Sequence, residues 1–268
     1  MEFIKAIIFG AVQGVTEFLP VSSSGHLVIL HEFFSFSNVD ELAFDVMLHF
    51  ATLLATLYYF RQDVLRLIVG FFRYLKGEKN DQGRLAWLII FGSIPAVVFA
   101  LLFDAWIETS LRSPLVVILM LVLVGSLFLI IERKGRQLIV MDNLNWKKSL
   151  LIGFGQALAL IPGTSRSGIT IIAGMSADLK REEAVRFSFL LSLPIVFGAA
   201  IKKAPEVLGA DLSQGAWLVM GTAFLSALIF GVLAIKFFLV FVKKFKLDFF
   251  AYYRFALAAL LLFYFFIV

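Results

Sequence analysis

The sequence predicts an all-α polytopic membrane protein with six transmembrane helices, two re-entrant helical hairpins and an inverted-topology repeat. Three observations lead to this prediction: the composition, the lengths of the apolar runs, and two similar breaks in those runs. Of the 268 residues, 61% are hydrophobic and 16% are charged, and the mean hydropathy is +0.95. A soluble core cannot bury that much apolar surface, so we expect the chain to lie in a membrane.

Composition and charge also exclude several classes of function. The chain has no Cys, which excludes disulfides and thiolate chemistry. The net charge of +5 is ordinary for an inner membrane protein with basic cytoplasmic loops. The sequence shows no pattern of basic residues interleaved with aromatic ones, so nothing in it predicts nucleic-acid binding. The first apolar run carries Glu2 and Lys5 and lacks a small-residue cleavage site, so we do not predict a removable signal peptide.

Six apolar segments approach the roughly 20 residues that a helix needs to cross a bilayer. They are Phe44–Phe60, Leu85–Phe103, Pro114–Ile131, Ala184–Ile201, Ala216–Ile235 and Phe249–Val268. Two other runs, Phe3–Val15 and Ser149–Ile161, are clearly too short for a span. Each leads into a break rich in Pro, Gly and Ser and resumes as a second short run, Leu27–Phe34 or Ile169–Ala177. Such lengths suit a re-entrant hairpin better than a span.

The distribution of Lys and Arg favours the hairpin topology. With Arg166 and Arg254 left aside as intramembrane or span-edge residues, both short runs as hairpins give 18 Lys and Arg on one side of the membrane and 4 on the other, whereas true spans would give 14 and 8. Because cytoplasmic loops collect these residues, we expect both termini outside and the Arg133–Lys148 loop in the cytoplasm. The basic stretch Arg61–Arg84 is then a cytoplasmic loop, and its amphipathic part, Val64–Leu75, lies on anionic lipid.

A weak internal repeat relates the two halves of the chain. Five pairs of identical residues are each separated by 143 positions: Gln13 with Gln156, Gly25 with Gly168, Phe44 with Phe187, Leu48 with Leu191 and Val64 with Val207. Between the paired Gln and Gly, QGVTEFLPVSSSG aligns with QALALIPGTSRSG. The repeat predicts two halves, residues 1–143 and 144–268, each with one hairpin and three spans. Because three is odd, the halves lie inverted, which places a polar site near the midplane where broken helices meet.

The two breaks are predicted to form an anion site. Non-helical backbone survives at membrane depth only where protein or a water-filled cavity satisfies its N–H and C=O groups. The prolines end one half-helix, and the Ser/Gly run caps the next. The N-terminus of a half-helix directs N–H groups and a positive dipole end at the break, which suits phosphate.

The side chains at the breaks suit phosphoryl transfer. Ionisable residues at membrane depth are costly and usually functional, and here they are Glu17, His26 and Arg166. Around them lie the hydroxyls and amide of Gln13, Ser22, Ser23, Ser24, Ser165, Ser167 and Thr170. Arginine holds phosphate oxygens with a bidentate fork. A serine supplies a nucleophile, His26 or Glu17 supplies a base, and Glu17 could hold a metal.

Structural roles compete with these functional ones. Serines in membrane helices often only hydrogen-bond the backbone or a neighbouring helix. His26 could be a satisfied interior histidine, and Glu17 with Arg166 could be a buried structural ion pair. His49 lies within a span and could either line the site or pack.

At these residues the sequence resembles the undecaprenyl-diphosphate phosphatase family, which is linked to bacitracin resistance. The family's first motif, E/Q-x-x-x-E-F-L-P-V-S-S-x-G-H, is complete as QGVTEFLPVSSSGH at Gln13–His26. Its second, P-G-x-S-R-S-x-x-T, is complete as PGTSRSGIT at Pro162–Thr170. Gly92–Phe103 and Leu48–Ala55 are also similar to family segments, and the resemblance covers the whole length.

The resemblance implies hydrolysis of undecaprenyl diphosphate to undecaprenyl phosphate and inorganic phosphate. This reaction recycles the lipid carrier of peptidoglycan synthesis at the outer face of the cytoplasmic (inner) membrane. The resemblance also implies a divalent cation, Mg²⁺ or Ca²⁺, and polyprenyl diphosphate and membrane lipid as partners, and it leaves a homodimer open. By carry-over, Glu17, Ser23, His26 and Arg166 are the catalytic residues. The chain departs from the family where Gln13 replaces an acid and where Ala51 replaces the usual Gly.

A transporter is the rival interpretation. Inverted repeats with broken helices are typical of secondary carriers, and a polyprenyl-phosphate flippase would need the same Arg166. A carrier has no need for Ser23 and His26 at a turn, which favours the enzyme. A purely structural scaffold is disfavoured by the cost of Glu17 and Arg166 at depth.

Overall fold

The structure is a computed structural model that describes residues 1–34, 36, 40–111, 113–209 and 213–266. Within these ranges the chain is helical and contains no β-strand, as predicted. The α-helices are α1 (Glu2–Phe18), α2 (Ser23–Phe33), α3 (Glu41–Tyr59), α4 (Arg61–Leu75), α5 (Asp81–Ser110), α6 (Pro114–Lys134), α7 (Trp146–Leu158), α8 (Arg166–Ser176), α9 (Arg181–Leu208), α10 (Gln214–Lys244) and α11 (Asp248–Phe266). A short 3-10 helix, Met141–Asn143, precedes α7.

Six of the described helices are long and apolar enough to cross a membrane, which confirms the predicted number of spans. They are α3, α5, α6, α9, α10 and α11. The protein is therefore a multi-pass membrane protein. Each of these helices corresponds to one predicted apolar segment.

Polar caps set the starts of several helices, and α3, α7 and α10 begin a few residues before their apolar runs. The first span begins at Glu41 rather than at Phe44, since the Asp40 side chain accepts a hydrogen bond from the backbone N–H of Ala43 at 2.8 Å. The starts of α6, α7 and α10 are capped in the same way by Ser113, Asn145 and Ser213. An Asp, Asn or Ser oxygen satisfies an N–H group that would otherwise lack a partner.

The first helix of each short pair packs closely against a span from the other half of the chain. Helix α1 lies on α10, where a Cβ on Gly10 would overlap the carbonyl oxygen of Ala223. Helix α7 lies on α5, where a Cβ on Gly153 would overlap the carbonyl oxygen of Gly92. Only glycine permits such approaches between helix backbones. Gly10 and Gly153 are themselves related by the offset of the internal repeat.

The remaining spans complete the bundle. Helix α3 packs on α9 and α10, and α6 packs on α11. Helix α4 contains the predicted amphipathic segment, and it exposes Leu65, Ile68, Phe72 and Leu75. The bundle thus brings the breaks of both short pairs to its interior, where they face each other.

Candidate active site

The first break separates α1 from α2. Helix α1 ends at Phe18, and α2 begins at Ser23 after a turn that contains Pro20. Ser22 caps α2 with φ of 74°, and its Oγ accepts a hydrogen bond from the backbone N–H of Gly25 at 3.3 Å. Proline cannot continue the hydrogen-bonding of α1, and the serine cap starts a new helix in a different direction.

The second break has the same local geometry. Helix α7 ends at Leu158 and α8 begins at Arg166. Ser165 caps α8 with φ of 69°, and its Oγ accepts from the backbone N–H of Gly168 at 3.2 Å. Non-glycine residues at positive φ are uncommon. Ser22 and Ser165 share this conformation and are equivalent in the internal repeat, which indicates a common local fold.

A buried arginine ties the two breaks together. Arg254 of α11 is 0% exposed and donates to the carbonyl oxygens of Pro20 at 3.2 Å, Gly163 at 2.9 Å and Thr164 at 3.1 Å. It also donates to two carbonyl oxygens of α6. The rigid guanidinium group carries five N–H donors, so it can hydrogen-bond carbonyl oxygens at the breaks that have no partner within a helix. The sequence analysis assigned no role to this residue.

Side chains link the breaks directly as well. The Oγ of Ser24 accepts from the backbone N–H of Gly163 at 3.3 Å, and the Oγ of Ser167 donates to the carbonyl oxygen of Leu19 at 3.4 Å. Helices α2 and α8 are each 11 residues long, and these contacts place their N-termini beside one another. Two helix N-termini at one place concentrate N–H donors and positive dipole ends.

An ion pair joins the breaks at their polar centre. Glu17 pairs with Arg166, and the other carboxylate oxygen of Glu17 accepts from the Oγ of Ser23 at 2.8 Å and from the Nε2 of Gln13 at 3.1 Å. Side-chain exposure is 7% for Glu17 and 18% for Arg166. The structure thus brings together three of the four predicted catalytic residues, from positions up to 149 apart in the chain.

His49 of α3 completes this cluster. Its Nδ1 lies 3.2 Å from the Nε2 of Gln13 and 3.6 Å from a carboxylate oxygen of Glu17. The side chain is 44% exposed, toward the cavity described next. Of the two roles that the sequence left open for His49, the structure supports lining the site.

The cluster opens into a cavity of about 350 Å³. Its polar lining at the breaks consists of Glu17, Ser23, Ser24, Ser165 and Arg166. His49, Gln156 and Lys203 add polar groups from α3, α7 and α9. The rest of the lining is apolar. Such a cavity, mainly apolar with a few convergent polar groups, is typical of a small-molecule site.

Four of the predicted substrate-binding residues lie behind this lining. Gln13, Ser22, Ser167 and Thr170 are all buried, and none of them borders the cavity. Thr170 donates to the carbonyl oxygen of Arg166 at 2.6 Å and lies 2.5 Å from the Oγ of Ser188. These residues hold the breaks and the helix starts, while Ser24 and Ser165 face the cavity.

The sequence left His26 and Glu17 open as the base, and in the structure the hydroxyl of Ser23 contacts Glu17, whereas His26 has other partners. The Nδ1 of His26 lies 2.7 Å from the carbonyl oxygen of Ser22, and its Nε2 lies 2.7 Å from the hydroxyl of Tyr253. Its ring also stacks on Tyr253 at an interplanar angle of 8°. Ser23 and His26 are three residues apart on α2, but their side chains have different partners: Glu17 of α1 for Ser23 and Tyr253 of α11 for His26.

The sequence analysis missed Tyr253, Arg254, Gln156 and Lys203 as members of this region. Arg254 carried a signal, since a lone arginine within an apolar span needs partners in the interior. Gln156 carried another, since it pairs with Gln13 in the repeat. Tyr253 and Lys203 carried none that local sequence could reveal.

A divalent cation finds a limited set of ligands here. Within the described ranges, no three His, Asp or Glu side chains group as metal ligands. Among the described lining residues, Glu17 supplies the carboxylate, and Ser23 and Ser24 supply hydroxyl oxygens. Mg²⁺ is often held by one or two carboxylates together with substrate phosphates and water. This donor set fits a cation that arrives with a phosphorylated substrate.

Comparison with known proteins identifies the family. The family model described as bacitracin resistance protein BacA matches residues 6–260. The chain belongs to the BacA family. It is 45% identical over 266 residues to the undecaprenyl-diphosphatase of Rubrobacter xylanophilus, with 97% of each chain covered.

Further relatives carry the same name. The undecaprenyl-diphosphatase of Moorella thermoacetica is 41% identical over 261 residues, with 97% of each chain covered. That of Elusimicrobium minutum is 40% identical over 262 residues, with 98% of each chain covered. The family resemblance expected from the two motifs is therefore confirmed. In this BacA-family chain both motifs lie at the facing breaks.

Proposed function

We propose that this protein hydrolyses undecaprenyl diphosphate to undecaprenyl phosphate and inorganic phosphate, and thereby recycles the lipid carrier of cell-wall synthesis. The observation that carries the proposal is the meeting of Ser23, Glu17 and Arg166 at two helix N-termini in one cavity. The names of the relatives support the substrate. Bacitracin resistance, the property in the family's description, agrees with a role at this lipid.

Diphosphate binding is expected to rearrange the ion pair. Arg166 holds Glu17 in the structure, and its fork equally fits two phosphate oxygens. A diphosphate that takes over Arg166 frees one oxygen of Glu17, while the other oxygen keeps its contact with the Ser23 hydroxyl.

Ser23 is the proposed nucleophile. Its Oγ donates to Glu17 at 2.8 Å, so its proton has an acceptor in place. The Oγ–phosphorus bond forms at the terminal phosphate while the anhydride bond breaks, and undecaprenyl phosphate leaves. Glu17 passes the proton from Ser23 to the departing undecaprenyl phosphate. Water then attacks the phosphorus of the phosphoserine and gives a proton to Glu17; the Oγ–phosphorus bond breaks, inorganic phosphate leaves, and the proton returns to Ser23. Arg166 and the N–H groups of α2 and α8 stabilise charge on the transferred group.

A divalent cation remains part of the proposal through the family resemblance. When bound, it would neutralise negative charge on the diphosphate. Glu17 is its protein ligand, and the hydroxyl oxygens of Ser23 and Ser24 lie nearby. Once Arg166 binds the diphosphate, the Glu17 oxygen that it held would be available to coordinate the cation.

The surroundings of the cavity suit a lipid tail. A second, apolar cavity of about 340 Å³ lies between α3 and α9 and is lined by Met47, Phe197 and Ile201 among others. Val46, Phe50 and Ala200 border both cavities. The apolar cavity adjoins the polar one, so it can hold the prenyl chain of the substrate while the diphosphate stays in the polar cavity.

We further propose an inverted repeat with two re-entrant hairpins, α1–α2 and α7–α8, in halves 1–143 and 144–268. The matching serine caps, the matching glycine contacts and the packing of α1 on α10 and of α7 on α5 support it. The protein then lies in the cytoplasmic membrane with both termini outside. Its active site opens to the outer face, where Lys203 lines the cavity.

Cysteine labelling tests the orientation. Leu138→Cys, in the loop between α6 and α7, should stay unlabelled by a membrane-impermeant thiol reagent in intact cells, because the charge distribution places this loop in the cytoplasm. Gln214→Cys, at the start of α10, should be labelled. The native chain has no Cys, so the signal comes only from the introduced residue. Labelling of Leu138→Cys in intact cells would reverse the assignment.

Phosphate release tests the activity. Purified protein in detergent should release inorganic phosphate from a polyprenyl diphosphate, and EDTA should stop the release until Mg²⁺ or Ca²⁺ is added back. Release that EDTA leaves unchanged would remove the cation from the proposal. If the protein released no phosphate but moved polyprenyl phosphate across vesicle membranes, the transporter interpretation would replace the enzyme.

A further inference from the structure

Gln156 lies at the end of α7 and lines the cavity beside the breaks. Its exposure is 2%, and neither its Nε2 nor its Oε1 has a hydrogen-bond partner among the described residues. Most buried polar side chains find a partner in the protein or in water. A buried amide with both ends unpaired, at the wall of a cavity, therefore indicates that the partner comes from the cavity.

The equivalent residue in the first half shows the contrast. Gln13 is also buried, and its Oε1 likewise has no partner in the described part of the chain, but its Nε2 donates to Glu17 at 3.1 Å and lies 3.2 Å from the Nδ1 of His49. Gln13 thus serves the protein's own carboxylate. The second half has no such carboxylate, since the repeat places Leu160 at the position equivalent to Glu17. The amide of Gln156 is left available at the same position relative to its break.

The neighbours of Gln156 identify the chemistry of the missing partner. Arg166, Ser165 and Lys203 line the same cavity, so its described polar lining contains two cationic side chains beside the one carboxylate of Glu17. An anion rich in acceptor oxygens fits such a space, and a phosphate group has that chemistry. A neutral amide adds a donor without adding charge.

We propose that Gln156 binds the diphosphate of the substrate, with its side-chain N–H donating to a phosphate oxygen and its carbonyl oxygen accepting from a water in the cavity. The proposal rests on the proposed function for the identity of the substrate, but the phosphate contact itself does not depend on turnover. Gln156 is a substrate-binding residue supplied by the second half of the chain. It lines the same cavity as Ser23 and Glu17 of the first half.

Gln156→Leu separates this role from a structural one. Leucine has a similar volume and removes two unpaired polar atoms, so the Tm of the ligand-free protein in detergent should stay the same or rise. The kcat/KM for a polyprenyl diphosphate should fall about 10- to 100-fold, as expected for one lost hydrogen bond to a charged group. The rise in Tm that inorganic pyrophosphate causes in the wild type should shrink or disappear.

Two further variants sharpen the comparison. Gln156→Glu keeps the shape but replaces the donor with a negative charge, so its kcat/KM should fall further than that of Gln156→Leu. Thr56→Val is the matched control, because Thr56 is buried in α3 away from the cavity and donates to the carbonyl oxygen of Thr52 in its own helix, at 3.0 Å. Its activity and its pyrophosphate response should match the wild type. Should Gln156→Leu fail to fold, Gln156→Met takes its place.

Two results would overturn the proposal. One is a Gln156→Leu protein with wild-type kcat/KM. The other is a variant that loses ligand-free stability and activity together while its pyrophosphate response stays at the wild-type level, which would make Gln156 structural. The pyrophosphate measurement also separates this proposal from the proposed function. If the wild-type protein released no phosphate but was still stabilised by pyrophosphate through Gln156, the proposed hydrolysis would be refuted and the binding role of Gln156 would stand.

Discussion

Ser23→Ala should abolish phosphate release, with turnover reduced about 10³-fold or more, because the variant lacks the proposed nucleophile. Binding of the lipid diphosphate should change little, since Arg166 and the N-termini of α2 and α8 remain. The hydroxyl of Ser23 is the one at the first break that donates to Glu17, at 2.8 Å. Single-turnover phosphate release, together with binding of labelled substrate, measures both quantities in the same preparation.

The neighbouring serines are the controls for this substitution. Ser24→Ala and Ser22→Ala should have milder effects on turnover, because Ser24 contacts the second break and Ser22 caps α2. Loss of the Ser22 cap should appear mainly as a lower stability, by about 1 kcal/mol. If Ser23→Ala retained near wild-type turnover, water would attack the phosphate directly and Ser23 would only anchor it.

Arg166→Lys should lose most of the activity even though the charge is kept. The planar fork of arginine holds two oxygens at once, whereas lysine offers a single charged point. Loss of this clamp in a site shielded from water should cost about 2–4 kcal/mol of transition-state stabilisation. The same side chain holds Glu17 in the structure, so the variant also disturbs the proton acceptor of Ser23.

Steady-state kinetics with a polyprenyl diphosphate measures this loss, and the Tm in detergent reports whether the variant is folded. Arg186→Lys is the matched control. Arg186 pairs with Asp63 at 3.4 Å, outside the cavity, and its side chain is 40% exposed. It should keep wild-type turnover. Wild-type turnover in folded Arg166→Lys protein would show that Arg166 has a structural role only.

The spans could be predicted from the sequence because lipid offers no hydrogen bonds to a backbone. An apolar run of sufficient length must then form a helix, whatever its neighbours are. The start of a helix can depend on a single capping side chain: the apolar run begins at Phe44, whereas Asp40 caps α3 so that the helix begins at Glu41. The turns at the two breaks were also predictable, since Pro20 and the following serines act on their immediate neighbours.

Contacts between distant parts of the chain were beyond local pattern. The sequence left His26 and Glu17 open as the base for Ser23, and only the fold shows that Ser23 contacts Glu17 while His26 bonds Tyr253, far away along the chain. Arg254 satisfies carbonyls at both breaks, and no property of its neighbours in α11 indicates which ones. Gln156 is informative only because the folded protein leaves its amide without a partner among the described residues.

The sequence by itself determined the membrane class, the number of spans, the two breaks and the polar residue types at those breaks. These properties follow from apolar run length, proline and serine at fixed positions, and charges that lipid cannot solvate. Only the tertiary structure decided that Glu17 meets Arg166, that His49 rather than His26 faces the cavity, and that Gln156 faces it unpaired. The reason is that helix packing, set by close contacts such as Gly10 on α10 and Gly153 on α5, orients each break toward the other.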